Sequence, residues 1–366
     1  MIVKKVELKN FRNYKLLELE FDSKINILYG NNAQGKTNVL ESIYMCSTTK
    51  SHRSNKDSEL INFDKKDGYI KLYIEKNQKN YRIDVHLKKN KGKGIAVNSI
   101  PIKKASELFG IFNVIFFSPE DLSIIKNGPG ERRKFIDMEL CQLDKIYVYN
   151  LINYNKILSQ RNKLLKDIAF DKSLVDTLDI WDDQLAMYGK EIIIRRNKFL
   201  EDLNEIIKPI HKKLTDGENI KLSYSKNCDE NEIYQSLKKN RERDLRYKTT
   251  SVGPHRDDII FESDDINIRT YGSQGQKRTA ALSLKLAEIE LVKRMIGDTP
   301  VLLLDDVMSE LDSKRQNHLL KSLNGIQTII TCTGLDDFIE NRFSMDKVFN
   351  VEKGKITEQK RLKVEI

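Results

Sequence analysis

Eight consecutive residues carry the clearest chemistry in this sequence. Gly30-Asn31-Asn32-Ala33-Gln34-Gly35-Lys36-Thr37 fits GxxxxGK[ST], the pattern of a loop that wraps the phosphates of a nucleoside triphosphate. Its glycines let backbone N–H groups close around the β-phosphate at a helix N-terminus, while Lys36 reaches the β and γ oxygens and the Thr37 hydroxyl ligates Mg²⁺. The flanks are the required ones. An apolar strand, Ile25 to Tyr29, runs into the loop, and a helix-like stretch, Thr37 to Cys46, leaves it.

Val301-Leu302-Leu303-Leu304-Asp305-Asp306 is a run of four apolar residues ending in paired carboxylates. Such a run marks a strand buried on both faces whose C-terminal end projects acid into a crevice. Asp305 is expected to hold Mg²⁺ through water and Asp306 to polarise the attacking water as a general base, so Lys36 and Asp306 are the candidate catalytic residues. A third element, Tyr271-Gly272-Ser273-Gln274-Gly275-Gln276-Lys277-Arg278, precedes a helix whose Ala280, Leu284, Ala287 and Leu291 fall on one face, with Ser273 as N-cap. A hydroxyl and glycine-freed N–H groups at a helix N-terminus make a second anion site. It is redundant for phosphates already cradled at 30–37, so Ser273, Gln274, Gly275 and Gln276 are expected to meet the nucleotide of a second subunit.

Lys36 and Asp305 lie near opposite ends of the chain, so something is inserted between them and the nucleotide site is assembled from both ends. The start is β-rich: Val3 to Leu8, Leu17 to Phe21 and Ile25 to Tyr29 read as strands around a turn at Phe11-Arg12-Asn13-Tyr14. Further strands are expected near Ile70 to Ile74, Tyr81 to Leu87 and Val114 to Phe117, with a hairpin tip over Lys88 to Gly94. From about 131 to 210, apolar residues such as Leu143, Ile146, Leu151 and Tyr154 recur at helical spacing. After Pro209 a polar, Asn- and Lys-rich stretch is expected to lead to about residue 250.

These motifs resemble the ATP-binding cassette heads of SMC-type proteins. Within that group the sequence is similar to the RecF family of bacterial DNA replication and repair ATPases over essentially its full length. The carrying residues include Asn10 to Tyr14, Gly30 to Glu41, Lys50-Ser51-His52-Arg53, Phe117 to Leu122, Gly130 to Asp137, Gly253-Pro254-His255-Arg256-Asp257-Asp258, Ser273 to Arg278 and Leu303 to Asp312. The resemblance implies an α/β, P-loop ATP-binding cassette head with a β-rich N-terminal part and a helical insertion lobe. Residues 1–130 and 250–366 would form the head (lobe I), and 131–249 the insertion (lobe II).

It further implies ATP and Mg²⁺ as cofactors, with Thr37 and Asp305 as metal ligands, an ATP-dependent homodimer, and slow, DNA-dependent hydrolysis. The implied role is DNA repair and replication, including the SOS response, on gapped, single-stranded and double-stranded DNA. The implied partners are RecR and, indirectly, RecO and RecA, which would be loaded at gaps. Ser309 to Asp312 would be the D-loop reaching the opposite subunit, and Arg53, like Arg12, is a candidate phosphate contact. Two departures bear on the chemical step. Asp306 stands where cassette ATPases carry Glu, which suits slow hydrolysis; no His occurs in Ile329 to Thr333 and no Gln in 115–121, so the γ-phosphate sensor has no candidate.

Composition agrees with an anionic partner. Lys and Arg number 64 against 54 Asp and Glu, a net charge of +10 that attracts polyanions such as nucleic acid or an acidic membrane face. Candidate DNA contacts are Lys88, Lys89, Lys91 and Lys93, and the cluster Lys238, Lys239, Arg241, Arg243, Arg246 and Lys248. Arg132 and Arg133 face either DNA or solvent, and His255 is read as organising its turn. Four widely spaced cysteines without a CxxC pair argue against a disulfide framework or zinc module, and no run of 18 apolar residues occurs, so a cytosolic, cytoplasmic protein is expected. The alternative, an ATPase subunit of a transporter or defence system, would show LSGGQ with a Q-loop Gln and switch His, or a fused acidic nuclease domain.

Overall fold

The structure, a computed structural model, describes residues 1–215, 217–335 and 345–359; residues 360–366, assigned above to the head, lie outside the described residues. The chain divides into two compact units, Met1–Asp121 with Glu288–Ile366, and Leu122–Ala287.

The first unit holds two six-stranded sheets. One is antiparallel, ordered β2-β1-β4-β5-β6-β7, from β1 (Ile2–Phe11), β2 (Tyr14–Glu20), β4 (Asp67–Lys76), β5 (Lys79–Lys88), β6 (Gly94–Val97) and β7 (Ile100–Pro101). Its strands alternate: Val6, Leu8, Ile70 and Leu72 are buried while Lys4, Lys9 and Lys71 face solvent. Asn77-Gln78 and Asn98-Ser99 close two-residue hairpins with positive φ at both positions, a conformation whose twist matches the flanking strands.

The other sheet is ordered β15-β14-β3-β13-β12-β8, from β3 (Ile25–Tyr29), β8 (Val114–Phe117), β12 (Val301–Asp305), β13 (Thr328–Cys332), β14 (Lys347–Glu352) and β15 (Lys355–Gln359). All neighbours are parallel except β14 and β15. Val301 to Leu304 and Val114 to Phe117 are buried throughout, as an apolar run in a parallel sheet requires. Helix α1 (Lys36–Thr48) buries Val39, Leu40 and Ile43 in one apolar cluster with residues of both sheets, among them Leu8, Leu72, Leu28 and Leu303. That packing fixes the helix N-terminus at the carboxyl ends of β3, β13 and β12. Helix α10 (Ser313–Ser322) follows, capped by Asp312, whose side chain accepts from Arg315 N.

The second unit contains α2 (Leu122–Lys126), α3 (Pro129–Leu143), α4 (Lys145–Asp167), α5 (Leu178–Leu214), α6 (Ile233–Lys239), α7 (Arg241–Tyr247) and α8 (Ile268–Tyr271). It also has a three-stranded antiparallel sheet of β9 (Ile220–Ser225), β10 (Asp258–Ser263) and β11 (Ile266–Asn267). The unit boundary falls inside α9 (Gln274–Ile296).

Two expectations change here. Pro209 does not end the helix; α5 continues to Leu214 because Ile206, Ile207, His211 and Leu214 remain buried, and that packing outweighs the lost N–H. The polar stretch after it is not a connector but forms β9, α6 and α7, with Ile220, Leu222, Ile233 and Leu237 buried between exposed neighbours. No disulfide joins the four cysteines. Among the described residues no helix is long and apolar enough to cross a membrane, and no cluster of three His, Cys, Asp or Glu is spaced to hold a metal.

Candidate nucleotide-binding site

β3 delivers the chain to Gly30, whose φ is +145°; a Cβ there would lie 2.4 Å from the Val351 carbonyl oxygen, so only glycine fits. Gly35, with φ +115°, begins α1, and its carbonyl accepts from the Tyr14 hydroxyl at 3.1 Å. Between them Gln34 is clamped from two tight turns. Asn13 Nδ2 and Gly354 N donate to the Gln34 carbonyl at 3.0 and 3.2 Å, and Lys353 N donates to Gln34 Oε1 at 2.6 Å. Asn31, Asn32 and Ala33 are exposed, Ala33 in the left-handed region, so the loop is open on one side and tethered on the other.

Lys36 folds back over this loop. Its ammonium donates to the Gly30 carbonyl and, at 3.0 Å, to that of Asn31. Burial pushes its pKa down, opposed by the charges of Asp306 and Asp305. One residue on, Thr37 Oγ1 donates to Asp305 Oδ1 at 2.8 Å, which brings together the two residues expected to hold the metal. Thr331 completes the cluster: its hydroxyl donates to the same Asp305 oxygen at 2.6 Å and accepts from Asp306 N at 3.1 Å. Asp306 takes a positive φ of 53°, which turns it out of the strand direction of β12. Burial raises its pKa; the Lys36 charge opposes this and the Asp305 charge adds to it.

Arg53 is exposed, its Nη1 3.3 Å from Asn38 Oδ1 on the first turn of α1. Arg12, the other candidate, is committed to the scaffold: Nε and Nη2 grip both carboxylate oxygens of buried Glu41 at 2.9 and 2.7 Å. Ser309, in the expected D-loop, donates to the Asp306 carbonyl at 2.8 Å.

In the second unit, Ser273 caps α9 as expected. Its Oγ accepts from Gln276 N at 3.1 Å while Gln276 Oε1 accepts from Ser273 N at 2.9 Å, a reciprocal capping box. Ser273, Gln274 and Gly275 are exposed.

The family model described as RecF/RecN/SMC N terminal domain matches residues 2–357. A DNA replication and repair protein RecF of Lachnospira eligens is 62% identical over 362 residues, covering 98% of this chain and 100% of that protein. The chain belongs to the RecF family. A solved structure of the recombination mediator protein RecF with ATP, from the RecFOR pathway, is 39% identical and superposes with a TM-score of 0.92 over 98% of both chains. An SMC head bound to the C-terminal winged-helix domain of ScpA, 18% identical, shares the fold with a TM-score of 0.59 over 99% of this chain and 98% of that one.

In this RecF-family chain several sequence-predicted surface charges prove to be tied into the fold. Arg132 is buried, bonding both oxygens of Asp258 and the carbonyls of Ile124 and Asn127, so it neither faces DNA nor covers the surface. Arg133 donates to the Asp257 carbonyl. Lys89 and Lys93 tether the hairpin tip to the Phe63 carbonyl and Asp57, and Lys238 and Arg241 pair with Asp179, Arg241 also with Asp182. His255 organises its turn, bonding the Tyr154 hydroxyl at 2.7 Å and the Thr250 carbonyl at 3.0 Å.

Sequence reasoning missed Thr331 as the residue that holds both acidic side chains' segment in place. A hydroxyl beside a buried β-strand end was the available signal. His52, whose ring lies tilted with its centroid 4.1 Å from that of Phe116 and with both ring nitrogens unpartnered among the described residues, was likewise given no role.

Proposed function

We propose that this chain is an ATP-dependent DNA-binding protein of recombinational repair and replication. ATP would lie in the Gly30–Thr37 loop, and Lys36 would leave the Gly30 and Asn31 carbonyls for the β and γ oxygens. The observation that carries this reading is the Thr37–Asp305 hydrogen bond beside a loop whose glycines admit no side chain. Hydroxyl and carboxylate oxygens are hard donors suited to Mg²⁺, so Thr37 and Asp305 would hold it. Bound there, the metal supplies charge neutralisation at the phosphates. Asp306, its basicity increased by burial, would accept the proton of the attacking water.

Ser273 to Gln276, the first three of them exposed, would close on the nucleotide of a second copy, with Arg53 as a further phosphate contact. ATP would then drive dimerisation and its slow, DNA-dependent hydrolysis would release the dimer, since contacts to the γ-phosphate from a partner exist only with triphosphate bound. Relatives named as DNA replication and repair proteins and as a recombination mediator of the RecFOR pathway support the setting. In it the chain would act in the cytoplasm on gapped DNA with RecR and, through RecO, assist the loading of RecA. Light scattering of the purified protein with ATP, ADP and neither tests the reading. Dimer with ATP alone, abolished in Ser273→Arg at unchanged monomer affinity for ATP, is the expected result; an ATP-independent mass would overturn it.

A further inference from the structure

Four residues of the basic stretch after α6, Arg243, Arg246, Tyr247 and Lys248, make no side-chain hydrogen bond or ion pair among the described residues. Their neighbours Lys238 and Arg241 are neutralised by Asp179 and Asp182, so the unspent charge lies along α7 from Arg243 to Lys248. There Asn227, Arg243, Tyr247, Thr249, Ser251 and Arg256 line a cleft of about 410 Å³. Arg256 is held by Nε and Nη2 on the Thr250 carbonyl, which leaves Nη1 for a ligand. Tyr247 is 65% exposed, a planar ring presented to water beside guanidinium groups.

The cleft-lining Ser251 is tied to a buried cluster of ion pairs. Arg161, Asp182 and Asp244 are fully buried, and Arg161 binds both carboxylates and the Thr250 hydroxyl at 2.6 to 2.9 Å. Asp244 in turn accepts from Ser251 N and Oγ at 3.0 and 2.6 Å. At the end of α7, Lys248 adopts a positive φ of 54° and reverses the chain between Tyr247 and Thr249. Burying three charges is costly, and it fixes the segment that carries the exposed side chains.

Guanidinium donors recognise a phosphodiester, hydroxyls and an amide suit a sugar and its phosphate, and an exposed aromatic face suits an unpaired base. We propose that this cleft seats one unpaired nucleotide of a DNA strand, its phosphate on Arg243 and Arg256 and its base against the Tyr247 ring. The inference rests on the DNA-binding reading above and assigns it a place. Stacking requires a base out of its duplex, so the cleft would favour the single-stranded part of a gap over intact duplex.

The test is anisotropy of a labelled 20-nucleotide oligo-dT and of a blunt duplex of equal length, with the full chain, Mg²⁺ and ATP, across a salt series. Tyr247→Leu and Arg243→Ala alter exposed side chains, and Lys212→Ala, an exposed charge elsewhere in the same unit, is the control. Tyr247→Leu should weaken oligo-dT about tenfold and duplex less than about twofold. Arg243→Ala should reduce the slope of log affinity against log salt on oligo-dT by about 0.7. Variants indistinguishable from Lys212→Ala would overturn the assignment while leaving DNA binding intact. Free dTMP binding as tightly as oligo-dT would replace a strand site with a mononucleotide site and also overturn it. Failure of the unaltered protein to bind either DNA would overturn the DNA reading itself, and this inference with it.

Discussion

Thr37 Oγ1 and Asp305 Oδ1 are 2.8 Å apart although 268 positions separate them. The parallel register accounts for this. Thr331 pairs with Leu28 on one side and Asp305 on the other, so the ends of β3, β13 and β12 are level where α1 begins. A shift of one residue would turn Asp305 to the opposite face of the sheet.

Thr331→Val should therefore damage the site from outside the phosphate loop. It keeps the shape of the side chain but removes the hydroxyl's bonds to Asp305 and Asp306 N, leaving Asp306 N its bond to the Thr331 carbonyl, at a stability cost of about 1–2 kcal/mol. Hydrolysis should fall about tenfold while ATP binding without Mg²⁺ is unchanged, because only the acidic side is disturbed. Single-turnover assays and equilibrium titration separate the two.

Lys36→Ala should abolish nucleotide binding without unfolding the chain. Lys36 bonds only loop carbonyls, and no apolar core volume is lost. Titration with a fluorescent ATP analogue, beside an unchanged thermal melt without nucleotide, checks it; wild-type affinity in a folded variant would remove the loop from the site.

Asp306→Asn should retain ATP and lose turnover, since an amide cannot take the proton and Asp305 is untouched. The ATP-bound dimer should then persist longer, which light scattering follows directly.

Arg12→Ala should unfold more easily than its position in a turn suggests. Burial works against the Glu41 charge, and hydrogen bonds from Arg12 and Ser51 nonetheless hold its pKa below the ordinary value. Removing Arg12 strands that carboxylate, at a cost of about 3 kcal/mol. Urea denaturation should show the loss, with much of it recovered in Arg12→Ala/Glu41→Leu.

Mild acid should destabilise both units through their buried histidines, chiefly His52 in the first and His255 in the second, where burial also lowers His211. Burial pushes His52 and His255 down to about 4, against about 6.5 for an exposed imidazole. The unfolded chain then binds protons that the folded chain refuses, so stability present above about pH 6.5 is lost as pH falls towards 4. The slope is at most about 1.4 kcal/mol per pH unit for each histidine. His52→Phe should flatten it, preserving the ring contact with Phe116 at no cost in hydrogen bonds, whereas His255→Phe should also lose the bonds to Tyr154 and Thr250.

The strand–loop–helix geometry of Gly30 to Thr37, β3 and β12 were legible because short-range pattern determines them: glycines at fixed spacing and apolar runs buried on both faces. The reciprocal cap at Ser273 and Gln276 was equally local, three residues apart. What escaped depends on register between distant strands. Gln34 is gripped by Lys353 from 319 positions away, and Thr331 serves Asp305 only because β13 and β12 are level. Pro209 misled for a related reason, since the burial that carries α5 past it is tertiary.

The place of β3 between β13 and β14 has a consequence for the order of synthesis. Both neighbours are made near the end of translation, so the nascent Ile25–Tyr29 strand leaves the ribosome with neither edge covered. At roughly 5–20 residues per second it waits on the order of fifteen seconds to a minute, while the strands of the first hairpins and the whole second unit are already complete. A polypeptide released before residue 328 would contain every residue of the Gly30–Thr37 loop and no neighbouring strand to hold it.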